Sequence, residues 1–284
     1  MPASFFIVTP SFNQLAYLKR CVASIRDQAA PGLEIRHVVI DGASTDGTPE
    51  WLRAEGIEHI SEPDRGMYDA LNKGLDHFFT EHRTPNTEHY FAWLNADEQY
   101  LPGALTSVAS FGRRHPDVGV VCGDALVVDT HGQLITYWKS LPLRRLYLDI
   151  GTLYNLTCAI IFRVDIFAEG LRFDPTYRAI ADLILMRELL GKKTPNACLT
   201  QYVSAYTHAD FNISNQPDSQ KERLRFLETQ NALRLAGARV LRAGERFLRG
   251  GRKQSFPLHY ELYTDSTTER TPFSSGPVSA RWPT

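Results

Sequence analysis

The stretch FAWLNADEQYLPGAL, residues 91–105, decides the fold of this chain. It begins with apolar residues typical of a buried strand and continues after Pro102 and Gly103 with a pattern typical of a helix. Two adjacent carboxylates, Asp97 and Glu98, lie between the two elements. Strand ends are often polar because aspartate favours turns, but ligand sites in open α/β sheets also lie just beyond the carboxyl ends of strands. The choice between a turn and a site depends on the rest of the chain.

The composition indicates an ordinary soluble globular protein. The chain has 284 residues, 43% of them hydrophobic and 22% charged, with a net charge of −1, so no nucleic-acid partner is expected. Its four cysteines are far apart in the sequence, which favours reduced thiols over disulfides or a zinc site. No signal peptide and no apolar stretch of the roughly 18 residues of a membrane span is found. We therefore expect a cytoplasmic protein, at the inner face of the cell membrane if it contacts lipid.

Strands and helices alternate through the first part of the chain. Apolar strand patterns cover residues 4–9, 33–40, 57–60, 90–94 and 118–123. Helical spacing of apolar residues between these strands predicts a mostly parallel sheet with helices on both faces. Further along, the turn Thr-His-Gly at 130–132 lies between two strand patterns and indicates a hairpin, so this later part is expected to be more antiparallel.

The same patterns divide the chain into a main domain over residues 1–215, an amphipathic basic helical extension over 216–263 and a flexible tail over 264–284. The main domain has a first half at 1–125 and a second at 126–215. The tail is predicted to be poorly ordered because it is rich in serine, threonine and proline.

The extension is predicted to contain one long helix over residues 218–249. Phe226, Leu233, Val240 and Phe247 recur in it every seven residues, and residues 218–253 hold ten lysines and arginines against four acidic residues. The favoured interpretation is a helix packed on the main domain with a solvated basic surface. The alternatives are peripheral contact with anionic lipid of a membrane and pairing with a second copy of the chain as a homodimer.

Four polar segments directly follow apolar strands, at residues 9–13, 41–47, 61–66 and 95–98. In a parallel sheet they converge at one edge, which makes a polar cleft more plausible than four unrelated turns. Asp41 can accept hydrogen bonds from a base or from ribose hydroxyls. The cleft lacks the glycine-rich fingerprint of dinucleotide-binding enzymes and the P-loop, so neither hydride transfer nor P-loop NTPase activity is indicated.

A diphosphate bound in such a cleft needs a positive charge beside it. A divalent cation on Asp97 can supply it, with help from Arg65 or Lys73. Carboxylate and diphosphate oxygens suit Mg²⁺ or Mn²⁺, and one or two carboxylates are commonly enough.

Four ordered motifs resemble the successive signatures of the family-two glycosyltransferases. They are TPSFNQLAYLKRCVASIRDQ, VVIDGASTDGT, SEPDRGMYDALNKG and FAWLNADEQYLPGAL. The resemblance covers residues 4–215 and implies the α/β GT-A fold, a Rossmann-like nucleotide-binding sheet that is mostly parallel, with an antiparallel acceptor-side portion and here a C-terminal helical extension. Residues 1–125 then form the nucleotide-sugar half and residues 126–215 the acceptor half.

The resemblance also implies the activity. It is that of an inverting, hexosyltransferase-type enzyme that moves a sugar from a nucleotide-diphosphate donor to an acceptor hydroxyl. A UDP-sugar is favoured over a GDP- or dTDP-sugar. The acceptor is expected to be a saccharide or a lipid-linked saccharide in bacterial surface polysaccharide or glycolipid assembly.

Roles for individual residues follow from the resemblance by position. The implied nucleotide-sugar ligands are Thr9, Pro10, Asn13, Asp41, Ser44, Asp64, Arg65, Asn72, Asn95 and Ala96. Asp97 is the implied ligand of Mn²⁺ or Mg²⁺, in an Asn-Ala-Asp that stands where the family has Asp-x-Asp, and His208 is a second implied metal ligand. Asn95 departs from the acidic form of that motif, which weakens the expectation of metal dependence. Residues 212–214 resemble the family's mobile loop.

The implied catalytic base is Asp182, in the segment FDPTYRAIADLILMREL. Ala181 stands where a glutamate is common, and a lone aspartate before an apolar helix is also favoured by the helix dipole alone. Its setting after Phe-Asp-Pro favours the base interpretation, and Asp174 is the next candidate.

Two other functions remain open from the sequence. A sugar-1-phosphate nucleotidyltransferase also combines a nucleotide pocket with a divalent cation, but it normally has a glycine-rich basic loop after the first strand, which residues 9–14 lack. A non-catalytic module that binds a glycan or a partner on the same scaffold is supported by Asn95 and Ala181. Asp97 and Asp182 argue against it.

Overall fold

The computed structural model of the protein describes residues 2–81, 88–210, 212, 216–249 and 254–281. Its strands are β1 (Ala3–Ser11), β2 (Leu33–Asp41), β3 (His59–Ser61), β4 (Glu88–Trp93), β5 (Glu98–Tyr100), β6 (Val120–Val128), β7 (Leu134–Trp138), β8 (Ile160–Arg163), β9 (Asn196–Thr207), β10 (Leu258–Leu262) and β11 (Thr271–Ser275). Its helices are α1 (Leu15–Arg26), α2 (Thr48–Ala54), α3 (Met67–Glu81), α4 (Ala104–Arg114), α5 (Arg145–Leu148), α6 (Ala181–Gly191), α7 (Pro217–Glu228) and α8 (Ala232–Leu248).

The main sheet joins a parallel half to a mixed half. Its order is β3-β2-β1-β4-β8-β6-β9-β5, with β7 paired to β6. The four strands β1 to β4 are mutually parallel, whereas β8 runs antiparallel to both β4 and β6, and β5 antiparallel to β9. This architecture confirms the predicted α/β fold, with a mostly parallel first half and an antiparallel portion beyond it.

The central strands are buried on both faces, as expected where helices cover a parallel sheet. In β1, Phe6 and Val8 pack in one core cluster and Phe5 and Ile7 in another. This division follows the two-residue period of a strand, which points successive side chains to opposite faces. The strands therefore have little freedom to slide, and the polar segments that follow them are held at fixed positions.

The C-terminal part differs from its prediction. Two helices, α7 and α8, replace the single helix expected over residues 218–249. The chain leaves the helix at 229–231, and the side chain of Asn231 accepts a hydrogen bond from the backbone N–H of Arg234 at 3.1 Å, a typical N-cap. The seven-residue repeat of apolar residues continues across this break, so the repeat alone could not reveal it. The signal for the break is the capping residue Asn231, which is not part of the repeat.

The predicted flexible tail also differs, since residues 258–275 form the antiparallel hairpin of β10 and β11. The rings of Tyr260 and Phe273 stack with centroids 5.2 Å apart, and Tyr260 and Leu262 pack on residues of β6, β7 and β9. Arg270 donates to Asp27 at 2.9 Å, which ties the segment to the end of α1. The segment rich in serine and threonine therefore includes part of a short two-stranded hairpin, in which apolar residues alternate with polar ones.

Ion pairs hold α8 against the main domain. Asp149, 1% exposed and just beyond α5, lies 3.2 Å from Arg187 of α6 and 2.7 Å from Arg234 of α8. Further along α8, Glu245 pairs with Arg144 at 3.0 Å. This attachment agrees with the favoured interpretation of a helix packed on the domain. None of the helices in the described ranges has the length and apolar character needed to cross a membrane.

Candidate active site

The carboxyl ends of β1 and β4 open onto a cavity of about 420 Å³, called the donor cavity below. Pro10 lines it from the last residues of β1, Asp64 from the loop after β3, Asn95 and Asp97 from the segment after β4, and Asp182 from the start of α6. The first four residues come from the predicted polar strand ends, so those segments do converge. Asp97 and Asp182 share this cavity although they belong to different halves of the domain.

Asn13, Asp41 and Ser44 form a hydrogen-bonded rim behind the lining of the donor cavity. The backbone N–H of Asn13 donates to Ser44 Oγ at 2.8 Å, and the N–H of Thr45 donates to Asn13 Oδ1 at 2.8 Å. Asp41 is fully buried and accepts from the Ser61 hydroxyl at 2.6 Å and from the N–H of Ser44 at 3.2 Å. These three predicted residues are brought together, and they fix the shape of the loop at 41–47.

Gly42 allows this rim to approach the cavity closely. A Cβ atom at this position would lie 2.9 Å from Asp64 Oδ2, too near for any other residue without a shift of that side chain. The pKa of Asp64 is raised, chiefly because the carboxyl is partly buried.

Thr9 and Ala96 are predicted site residues that point into the core. The Thr9 hydroxyl lies 2.8 Å from His37 Nε2 and 3.7 Å from Cys21 Sγ, and Ala96 packs with Leu18 and other core residues. Thr9 is still within β1, two residues before the strand ends, so its side chain packs beneath a helix. Neither side chain lines the donor cavity, and their predicted roles as nucleotide-sugar ligands are corrected accordingly.

Asn72 and Arg65 are engaged by the protein itself. The Asn72 amide donates to the carbonyl of Phe173 at 2.7 Å and accepts from its N–H at 2.9 Å, which joins α3 to the acceptor half. Arg65 is exposed and pairs with Asp69 at 2.8 Å. Both lie outside the lining of the donor cavity, so the structure gives Asn72 a structural contact in place of the predicted ligand contact.

His208 is not among the residues that line the donor cavity. It follows β9, and its backbone N–H donates to the carbonyl of Val128 at 2.8 Å. Across the described ranges, no group of three or more histidine, cysteine, aspartate or glutamate side chains is arranged to hold a metal. The predicted role of His208 as a metal ligand therefore stays a prediction, and a cation at Asp97 would need further oxygens from a bound ligand.

Asp97 and Glu98 form a buried acidic pair at the donor cavity. Asn212 donates to Asp97 Oδ2 at 2.8 Å, and the backbone N–H of Asn95 donates to Glu98 Oε2 at 2.8 Å. Burial raises the pKa of both carboxyls, and the neighbouring charge of Asp97 raises the pKa of Glu98 further. Positive charge placed here would be stabilised. Residues 213 and 214 of the predicted mobile loop lie outside the described residues.

Asp182 stands in the first turn of α6, where its Oδ1 accepts from the backbone N–H of Leu183 at 2.7 Å. Burial raises the pKa of Asp182 to about 6, while the hydrogen bond from Leu183 and the nearby Tyr68 hydroxyl oppose that increase. Asp174, the other candidate, accepts from Thr176 at 2.6 Å, is exposed and has a lowered pKa because of that bond. Asp174 does not line the donor cavity, so the geometry favours Asp182 over Asp174 as the base.

Glu222 of α7 was missed by the sequence and supports the segment that carries Asp182. Its carboxylate accepts from the backbone N–H groups of Arg178 at 2.9 Å, Ala179 at 2.8 Å and Ile180 at 3.1 Å, just before α6 begins. The charge of Glu222 also raises the pKa of Asp182. No local pattern identifies such a residue, because its partners are about forty residues away in the chain.

Phe12 and Tyr68 are further lining residues of the donor cavity that the sequence did not single out. Phe12 is 60% exposed, an unusual position for a phenylalanine, and it follows Pro10 in a predicted polar segment. That exposed aromatic ring at a strand end could have been recognised as a stacking surface for a base.

The family model described as "Glycosyl transferase family 2" matches residues 6–171, more than half of the chain. The chain belongs to glycosyl transferase family 2. A PGL/p-HBAD biosynthesis glycosyltransferase of Mycobacterium bovis is 28% identical to this family 2 chain over 185 residues, 63% of the chain and 66% of the relative. The chain therefore spans just under two thirds of that relative's length.

Two solved structures share the fold of this family 2 glycosyltransferase. TarS residues 1–349 of S. aureus in complex with UDP-GlcNAc matches with a TM-score of 0.60 and 16% identity, covering 90% of this chain and 77% of that one. The mannosyltransferase PcManGT of Pyrobaculum calidifontis, in complex with GDP-Man and Mn²⁺, matches with a TM-score of 0.53 and 17% identity, covering 89% and 76%. At these identities the likeness concerns the fold. Asp182 and the C-terminal helices lie beyond the family match at 6–171.

Proposed function

We propose that this family 2 glycosyltransferase moves a hexosyl group from a nucleotide-diphosphate sugar to an acceptor hydroxyl, with inversion, in cell-surface glycoconjugate biosynthesis. The observation that carries the proposal is that Asp97 and Asp182 line one cavity of about 420 Å³. The relative in PGL/p-HBAD biosynthesis supports the biological setting, and membership of the family supports glycosyl transfer over nucleotidyl transfer.

The donor is proposed to bind with its base beside Phe12, next to the loop that Asn13, Asp41 and Ser44 hold in shape, and with its diphosphate towards Asp97. Phe12 offers an apolar ring at the rim, and Asp64 and Asn95 offer acceptors for hydroxyls. A UDP-sugar is the favoured donor and a GDP- or dTDP-sugar the alternative; of the fold neighbours, TarS was solved with UDP-GlcNAc and PcManGT with GDP-Man.

Mn²⁺ or Mg²⁺ fits the chemistry of the side chains near Asp97. The carboxylate of Asp97 and the buried Asn95 Oδ1, which has no hydrogen-bond partner among the described residues, are hard oxygen ligands beside a second carboxylate, Glu98. When bound, the cation would neutralise charge that develops on the departing diphosphate. The neighbour PcManGT was solved with Mn²⁺.

Asp182 is proposed to act as the general base. The acceptor oxygen forms a bond to the anomeric carbon of the donor, and the bond from that carbon to the diphosphate oxygen breaks with its electrons going to the nucleoside diphosphate. The acceptor proton passes to the Asp182 carboxylate. A pKa of about 6 leaves Asp182 mostly ionised at neutral pH yet more basic than an ordinary aspartate, which suits this task.

The proposal is tested first by donor binding and hydrolysis. UDP-, GDP- and dTDP-sugars would be titrated into the full-length protein with Mn²⁺, with Mg²⁺ and with EDTA, and slow release of nucleoside diphosphate would be followed. We expect metal-dependent binding of at least one donor, and Asp97→Asn should weaken it roughly 10- to 100-fold. Asp117→Asn, an exposed aspartate outside the cavity, serves as the matched control and should change affinity less than about twofold.

Two outcomes would contradict the proposal. If no nucleotide sugar binds, the proposed donor site is wrong. If Asp97→Asn binds the donor as tightly as the wild type, Asp97 has no role in donor binding and is only a turn residue. Binding without any release of nucleoside diphosphate, with or without candidate acceptors, would instead support the non-catalytic module.

A further inference from the structure

A second cavity, of about 710 Å³, adjoins the donor cavity and is called the arginine cavity below. The two cavities share four lining residues, which are Thr157, Ala179, Asp182 and Tyr206. The arginine cavity lies between the segment at 151–157, the start of α6 and the helices α7 and α8. A molecule bound in it would therefore reach Asp182 from the side opposite to the donor.

The lining of the arginine cavity is strongly positive. Arg223 of α7 and Arg239, Arg242 and Arg246 of α8 line it, and Asp182 is the one acidic side chain among its described lining residues. Positions 239, 242 and 246 lie on one face of α8, because residues three, four and seven apart in a helix point the same way.

The acidic residues near α8 are engaged elsewhere. Asp149 pairs with Arg187 and Arg234, and Glu245 pairs with Arg144. No ion pair joins Arg223, Arg239, Arg242 or Arg246 to an acidic residue within the described ranges. The fixed attachment of α8 thus leaves these four guanidinium groups without a counter-charge.

Burial makes this arrangement costly unless an anion is present. Arg242 Nη1 is buried without a hydrogen-bond partner in the described residues, and its guanidinium stacks over Tyr154 at 5.5 Å. Arg246 lies over Trp138 at 4.8 Å. Burial lowers the pKa of Arg242, and the positive charges of the other three arginines lower it further. Guanidinium groups bind phosphate oxygens through strong, charge-assisted hydrogen bonds, so a phosphate group would relieve both costs.

We propose that the arginine cavity is the acceptor subsite and that it binds a phosphate or diphosphate group carried by the acceptor saccharide, whose free hydroxyl then reaches Asp182. This inference rests on the proposed function, because it assigns the substrate class of the same active site. It explains why a cavity beside Asp182 should carry four arginines, two of which lie over the aromatic rings of Tyr154 and Trp138.

The phosphate could belong to a lipid-linked saccharide or to a soluble sugar phosphate, and the exposed surface of α8 favours the lipid. Phe247 lines the arginine cavity directly after Arg246 and is 64% exposed, and Leu233, Val240, Leu241 and Leu248, 57–85% exposed, lie on the face of α8 turned away from its arginines. An exposed apolar ring at the edge of a phosphate site, on a helix with a further exposed apolar face, suits the two parts of a lipid phosphate.

The test is a set of titrations of the full-length protein by isothermal calorimetry. The probes are farnesyl phosphate, farnesol as its uncharged counterpart, glucose 1-phosphate and inorganic phosphate, and a nucleotide sugar is titrated into the same samples. The variants are Arg239→Ala, Arg242→Ala and Arg242→Lys. Arg225→Ala is the matched control, since Arg225 is exposed on α7 and outside the cavity.

We expect farnesyl phosphate to bind the wild type and farnesol to bind far less. Arg239→Ala and Arg242→Ala should each lower the affinity for farnesyl phosphate roughly 10- to 100-fold. Arg242→Lys should lower it less, and Arg225→Ala should change it less than about twofold. Nucleotide-sugar affinity should change less than about twofold in all of them. Equal binding of glucose 1-phosphate and farnesyl phosphate, lost in the same variants, supports the phosphate site with a soluble acceptor.

The proposal is overturned if no phosphate probe binds the wild type, or if Arg239→Ala and Arg242→Ala bind it as the wild type does. Loss of nucleotide-sugar binding in every sample, with phosphate binding intact, would instead refute the proposed function. The two failures are therefore distinguishable in one set of samples.

Discussion

The two cavities that meet at Asp182 carry opposite charge. The donor cavity ends at the buried carboxylates Asp97 and Glu98, whereas the arginine cavity is lined by four arginines. A nucleotide diphosphate is negative, so the donor side needs a cation that the protein does not itself provide. The proposed acceptor side already carries positive charge, so under the two proposals the donor and the acceptor are held by different means on either side of Asp182.

The two sides also differ in how they are built. Short loops that follow the strands of the parallel half form the donor cavity, and hydrogen bonds within 41–45 hold its rim. Four elements that are distant in the sequence meet at the arginine cavity, and ion pairs such as Arg234–Asp149 fix one of them, α8, in place. Disturbing one side should therefore leave the other intact.

The largest expected effect is on turnover at the boundary between the two sides. Asp182→Asn should lower the transfer rate by about 10²–10⁴, the typical contribution of a general base, with donor affinity changed less than about twofold. Asp174→Asn is the control and should keep most of the rate, since Asp174 lines neither cavity. Transfer kinetics together with donor titration check this. A rate for Asp182→Asn equal to that of Asp174→Asn would refute the assignment of the base.

The next largest effect is on stability, and it tests whether the Asp149 ion pairs anchor α8 to the main domain. Asp149→Ala removes the buried carboxylate that Arg187 and Arg234 share, so we expect a loss of about 1–3 kcal/mol in the free energy of unfolding. Asp218→Asn, which removes an exposed pair with Lys221, should cost less than about 1 kcal/mol. Urea denaturation measures both. Equal costs would show that the Asp149 cluster does not anchor the helix.

The smallest effect is on the pH dependence of transfer. Asp182 must be ionised to accept a proton, so the rate should fall as the pH drops through about 6. Glu222→Gln removes a negative charge that raises the pKa of Asp182, and the acid limb of the profile should therefore move to lower pH. Glu228→Gln, exposed on the same helix, is the control. An acid limb that stays in place, or moves to higher pH, would contradict the role given to Glu222.

The sequence predicted the donor side better than the acceptor side because the former is local. Asp64, Asn95 and Asp97 each follow an apolar strand directly, so the strand ends alone identify them. The prediction for Thr9 was wrong because a side chain two positions before the end of β1 still points into the core. The prediction for Asn72 did not foresee its contact with Phe173, because a side-chain amide on a helix can bind the backbone of a distant segment as readily as a ligand.

The arginine cavity and Glu222 could not be predicted in the same way. The basic excess of 218–253 was visible, but the direction of each arginine depends on the break at 229–231 and on the ion pairs that dock α8. The hairpin at 258–275 was likewise hidden, since its alternation is short and its composition is that of a tail.

A crystal structure with a bound nucleotide sugar and Mn²⁺ tests the central claim most directly. The account predicts an anomalous manganese peak at the carboxylate of Asp97, with the diphosphate beside it and the anomeric carbon of the sugar turned towards Asp182. A nucleotide bound away from this cavity, or a sugar that faces away from Asp182, would contradict it.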